Sequence, residues 1–171
     1  MWFKSDVMSA VETAMKQRAW KYARVDRETV LTAVTVGAGA VFIQIRNDEA
    51  RRTLLFLMGP TKGAGAMVQA VMSGMVPFLR VHVKAGHSEA HVAQVCEALL
   101  ALNYRSLLGN LERDDTDGEV RLRVAVPYRD TAVTAEQVNW CVDIGVGSLS
   151  VAVTKIEEIL GREVETPLEE V

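Results

Sequence analysis

Apolar residues recur at helical spacing at Phe3, Val7, Val11, Ala14 and Met15, with Glu12, Lys16 and Arg18 on the other side and Ser5 or Asp6 available as a cap. This pattern predicts an amphipathic helix over residues 5–18. The period then shortens. Residues Trp20–Val25, Val30–Val36, Ala40–Arg46 and Arg51–Leu57 form runs rich in β-branched and aromatic residues, separated by Asp26-Arg27-Glu28, Gly37-Ala38-Gly39 and Asn47-Asp48-Glu49. Links this short force neighbouring strands to run antiparallel, because a parallel crossover needs about a dozen residues or more. A four-strand meander follows.

The segment Gly59–Gly74 is rich in Gly, Ala and Met; Met67, Val68, Val71 and Met72 have helical spacing, weakened by Gly63, Gly65 and Gly74. Pro77–Lys84 reads as a further strand, with Phe78 and Arg80 on one face and Leu79, Val81 and Val83 on the other. Ser88 caps a helix with the apolar stripe Val92, Val95, Cys96, Leu99 and Leu100, which ends at Leu102-Asn103. Leu107–Arg113 and Glu119–Val126 form a hairpin around an Asp-Asp-Thr-Asp-Gly turn, and a closing helix runs from Thr134 to a C-terminal cap at Gly161. Helices segregated from an antiparallel sheet of five to seven strands make an α+β fold. One domain is expected over residues 1–161, followed by an acidic tail over 162–171.

From Ile144 to Thr154 the closing helix carries no ionisable group, so burial nearly all round is expected. Val138, Cys141, Val142, Leu149, Val153, Ile156 and Leu160 make one stripe; Trp140, Ile144 and Val151 spill onto another. One sheet covers only one side of a helix. The second stripe is therefore expected to pack on another helix, as a homodimer interface across a two-fold. Gly145 and Gly147 either allow close helix approach or break the helix.

Alternation along the strands places Val41, Ile43, Ile45, Leu55, Leu57, Val120, Leu122, Val124 and Val126 on a face under the helices. The opposite face then carries Phe42, Gln44, Arg46, Leu54, Phe56, Met58, Phe78, Arg80, Arg121 and Arg123. Aromatic residues, Met and Arg are enriched in protein interfaces, so Phe42, Arg46, Leu54, Phe56, Met58, Arg80, Arg121 and Arg123 are the expected protein-binding residues. Two alternatives stand beside this reading: coverage by the chain's own Gly59–Gly74 segment, and nucleic-acid binding by the arginines with Phe42 and Phe56.

Composition narrows the function classes. The chain has 171 residues, 49% apolar and 24% charged, and a net charge of -3. Residues 157–171 hold six acids and one base, leaving residues 1–156 at +2, well short of a strongly basic nucleic-acid footprint. Two cysteines, Cys96 and Cys141, give no disulfide framework. Neither a secretory leader nor an apolar run of about 20 residues is present, so a cytosolic protein with no membrane partner is expected.

Catalytic patterns fail on specific residues. His87 and His91 lie one helical turn apart, but Ser88 stands where a zinc protease needs Glu. Lys62 in Gly59–Gly65 is followed by Gly63 rather than Ser or Thr, which removes the phosphate-loop reading. Gly37-Ala38-Gly39 is explained by a hairpin. Asp114, Asp115 and Asp117 lack the Gly and the distal Glu of an EF-hand, and no Ser sits in a nucleophile elbow. No catalytic, metal or cofactor residue is expected.

Leu100, Leu102 and Asn103, then Leu108, Gly109 and Leu111, then Asp117, Gly118 and Val120, then Pro127, Thr134 and Val138, resemble the YbjN-like family. The resemblance extends in element order from about Met8 to Gly161 and departs at Gly59–Gly74. It implies a fold like that of type III secretion chaperones, loosely described as sensory-transduction regulators. It also implies a non-enzymatic, dimeric protein that binds other proteins through an exposed sheet and helix surface, holding partner segments in extended form.

Overall fold

The computed structural model describes residues 7–36, 39–61, 88–116, 118–129 and 131–161. The expectations for Pro77–Lys84, Phe78, Arg80, His87, Asp117, the glycine-rich residues from 62 onward and the acidic tail lie outside them. Helix α1 (Val7–Gln17) is followed by strands β1 (Tyr22–Arg24), β2 (Thr29–Val36), β3 (Gly39–Asp48) and β4 (Thr53–Thr61). Helix α2 (Glu89–Arg105), strands β5 (Asn110–Arg113) and β6 (Val120–Pro127), and helix α3 (Ala135–Leu160) complete the order. The six strands form one sheet in the order β1-β2-β3-β4-β6-β5, antiparallel throughout. The α+β architecture is that expected. The seam joining meander to hairpin, β4 against β6, is set by tertiary packing.

The helix ends follow the chain's own caps. Ser88 accepts a hydrogen bond from the His91 N–H at the start of α2. Thr134 and Gln137 form a reciprocal capping box at the start of α3, and Gly161 ends α3 in the left-handed region at φ 70°. The three helices pack one face of the sheet. Arg18 fastens the end of α1 to α3, donating to Asn139 Oδ1 at 2.6 Å and to Asp143 Oδ2 at 2.7 Å, with its guanidinium 4.7 Å from the Trp20 ring.

Helix α3 is continuous through both glycines. Gly145 is buried, and a Cβ there would stand 2.6 Å from Met58 Sδ and 3.2 Å from Leu122 Cδ2, so its missing side chain lets the helix settle onto β4 and β6. Gly147 faces open space. Burial all round is not what α3 shows. Val138, Cys141, Val142, Gly145, Leu149, Ala152, Ile156 and Leu160 are buried, whereas Trp140 and Val151 are 55% and 57% exposed. A single-layer sheet supports only one side of a helix, and α1 and α2 flank it without closing over the top.

The register of β4 corrects the sheet faces. Pairing of Ile43 with Met58, Ile45 with Phe56 and Asn47 with Leu54 turns Leu54, Phe56 and Met58 inward, where each is at most 1% exposed. Leu55 and Leu57 turn outward, beside Arg46 and Gln44. Leu54, Phe56 and Met58 are thus core residues and not part of an open surface. Both alternations of this strand are apolar, so the pattern alone did not choose between them. A shift of one residue exchanges the faces. The β3–β4 turn fixes the choice: Asp48 accepts from the Arg51 N–H at 3.0 Å and from Arg51 Nη1 at 2.9 Å, and Arg52 takes φ 49°.

Candidate protein-binding surface

Cross-strand pairing orders the outer face into rows. Arg46 on β3 lies opposite Leu55 on β4, which lies opposite Ala125 on β6. The next row holds Leu31, Gln44, Leu57, Arg123 and Asn110. Gln44, Arg46, Leu55, Leu57, Glu112, Arg121 and Arg123 line an open concavity of about 190 Å³. Leu55 and Leu57 are half-buried at its floor; Arg46 and Arg123 are exposed.

The arginines of this face are not equivalent. Arg121 Nε donates to Glu112 Oε1 at 2.7 Å, and Nη1 stands 3.5 Å from Glu119 Oε2 and 3.7 Å from Asp114 Oδ2. The Glu112 hydrogen bond, reinforced by those charges, pushes the Arg121 guanidinium above its ordinary value. Its charge is already compensated. Arg46 and Arg123 form no ion pair with any described residue. Phe42, half-buried, joins them on this face; of the expected sheet residues, the structure therefore assembles Phe42, Arg46, Arg121 and Arg123.

On the helical side, Trp140, half-buried Ile144 and Val151 follow one another along the outer stripe of α3. A second apolar stripe was missed from sequence. Leu100, Tyr104 and Leu107 are 70%, 93% and 86% exposed along the outer side and end of α2. Leu100 therefore does not belong to the core stripe, which is Val95 and Leu99 with half-buried Val92 and Leu102. The helix carries apolar residues on two sides, and its docking turns Leu99 inward and leaves Leu100 on the open side.

The motif residues have physical roles. Asn103 donates from Nδ2 to the Leu111 carbonyl at 2.8 Å and accepts from the Leu111 N–H at 2.7 Å, so it acts as a strand neighbour for β5. Gly109 has φ 79°, and a Cβ would lie 2.6 Å from Val124 Cγ2 and 2.8 Å from the Arg123 carbonyl oxygen. Only glycine satisfies both demands. Among the described residues no group of three or more His, Cys, Asp or Glu could hold a metal ion. No described helix is long and apolar enough to cross a membrane.

Residues 76–158, which include Asn103 and Gly109, match the family model YbjN, described as "Putative bacterial sensory transduction regulator". Over these residues the chain is similar to the YbjN family. Its fold is similar to the crystal structure titled "YbjN, a putative transcription regulator from E. coli", with a TM-score of 0.52 and 14% identity over 91% of this chain and 93% of that one. At that identity the likeness is one of fold. The HopA1-SchA chaperone-effector complex includes a chain matched at a TM-score of 0.47 and 14% identity, over 88% of this chain and 92% of its own length. No curated protein matches this chain.

Proposed function

We propose that this chain is a non-enzymatic, homodimeric protein-binding adaptor or chaperone-like regulator. The observation that carries the reading is the outer sheet face, where half-buried Leu55 and Leu57 lie between exposed Arg46 and Arg123. Apolar floor with arginine at its margin suits capture of an extended polypeptide. The description of the YbjN family as a sensory transduction regulator agrees with a protein that acts by binding. Pairing of two copies is assigned to Trp140, Ile144 and Val151, which leave an apolar stripe in water in the single chain.

Light scattering after gel filtration tests the pairing: the expected mass is that of two chains, falling to one in Trp140→Glu. A monomeric native chain at micromolar concentration removes the dimer from the reading. Affinity purification with Leu57→Asp tests the sheet face. Partners retained by the native chain should be lost, and undiminished retention would discard this surface.

Nucleic-acid binding is the second reading, favoured by Phe42, Arg46 and Arg123 on one face. It requires a shift with single- or double-stranded oligonucleotides at low salt that weakens steeply as salt rises.

A further inference from the structure

The groove of the outer sheet face also has a polarity and a spacing, and these specify a ligand more closely than protein binding in general. We infer that it takes an extended acidic segment in which two carboxylates flank an apolar residue, in the order acid-x-apolar-x-acid. This inference rests on the protein-binding reading of the same face.

Register supplies the spacing. Arg46 is paired with Leu55 and Arg123 with Leu57, so the two arginines stand on opposite sides of β4, two strands apart and offset by two residues. With strands about 4.8 Å apart and a rise of about 3.4 Å per residue, their Cα atoms are roughly 12 Å apart on a diagonal across the two leucines. In an extended ligand, residues i, i+2 and i+4 share a face, and i to i+4 spans about 13 Å. A carboxylate at each end then meets one guanidinium. The side chain at i+2 falls between Leu55 and Leu57.

Charge supplies the polarity. Neither Arg46 nor Arg123 forms a direct ion pair among the described residues, Asp48 acting on Arg46 only at longer range, whereas Arg121 in the same groove is held by Glu112 with Glu119 and Asp114 close by. The groove therefore offers two cations held in no direct ion pair, and Arg–carboxylate pairing supplies their strongest available contact. A peptide is favoured over a nucleic acid. The groove's floor is leucine where base stacking calls for aromatic rings, and two cations are few for a polyanion.

The test uses the full chain and fluorescein-labelled peptides read by anisotropy. The probe is Gly-Ser-Glu-Ser-Leu-Ser-Glu-Ser-Gly. It should bind, and Arg46→Gln or Arg123→Gln should each weaken binding by about tenfold. Moving the two Glu together at unchanged net charge should cost about as much. The double variant Arg46→Glu with Arg123→Glu should lose this peptide and gain the one carrying Lys in place of both Glu. That reversal excludes unfolding as the cause, and circular dichroism of each variant checks the fold. Equal binding of a Gln-x-Leu-x-Gln peptide, insensitive to both arginines, overturns the acidic specificity while leaving protein binding at this face intact. Preference for an oligonucleotide of equal charge overturns it in favour of the second reading. Failure of every peptide to bind overturns the inference; if Leu57→Asp also leaves partner capture unchanged, the protein-binding reading of the face falls with it.

Discussion

Asn103 at the end of α2 and Leu111 in β5 are joined by two hydrogen bonds, 2.8 Å and 2.7 Å, that use both polar groups of one side-chain amide and both polar groups of one backbone residue. β5 is an edge strand of four residues, and Leu111 is 5% exposed. Asn103 occupies the place of a missing neighbour strand there, which blocks the edge against pairing with another chain.

Asn103→Ala leaves the Leu111 N–H and carbonyl without that partner in a largely buried setting. A loss of about 2–4 kcal/mol is expected from two unsatisfied groups, read as a lower urea midpoint at unchanged slope. Asn103→Asp keeps an acceptor for the N–H but sets a carboxylate against the carbonyl, so it should not restore the native midpoint.

The two glycines of α3 should respond with opposite signs. Gly145→Ala drives a methyl into Met58 and should cost about 1–3 kcal/mol, while Gly147→Ala meets nothing within 4 Å and should stabilise by about 0.5–1 kcal/mol through helix propensity. Thermal melts of the pair decide this. Equal losses at both positions would contradict the close contact at Met58.

Phe56 and Leu57 are neighbours in sequence with opposite destinations. Phe56→Asp buries a charge in the core and should prevent folding, with loss of cooperative melting. Leu57→Asp sits on the outer face and should fold, with the melting temperature changed by a few degrees. A folded Phe56→Asp protein would contradict the register of β4.

Burial raises the Cys141 thiol above its ordinary value. The unfolded chain therefore ionises this group at lower pH than the folded one. Its contribution to stability is complete below the ordinary thiol range and is lost as pH rises through that range toward the folded value. Cys141→Ala should flatten the alkaline fall in stability. In the native protein Cys141 should react with a thiol reagent only at the rate of unfolding, a difference measurable against half-buried Cys96.

Local rules made much of the fold legible. Ser88, Thr134 and Gly161 mark helix ends because a cap satisfies backbone groups within a few residues of itself. Short links around Asp26 and Asp48 force antiparallel neighbours. The Leu-Asn and Gly motif at Asn103 and Gly109 carried the resemblance, although its purpose became visible only once α2 lay beside β5. The outer stripe of α2 was not legible, since Leu99 and Leu100 are equally apolar and their directions depend on the angle at which the helix docks.

The amino-acid sequence alone determined the order of elements, their caps, the two-sided apolar character of α3 and the absence of familiar catalytic patterns, all consequences of residue type and spacing along the chain. Tertiary structure decided which alternation of β4 enters the core, why Gly145 belongs in an unbroken helix, and which arginines of the outer face are held in ion pairs. Those outcomes depend on groups far apart in the chain: Phe56 against Val124, Gly145 against Met58, Arg121 against Glu112. A strand apolar on both faces has two self-consistent local readings, and only its neighbours in space select one.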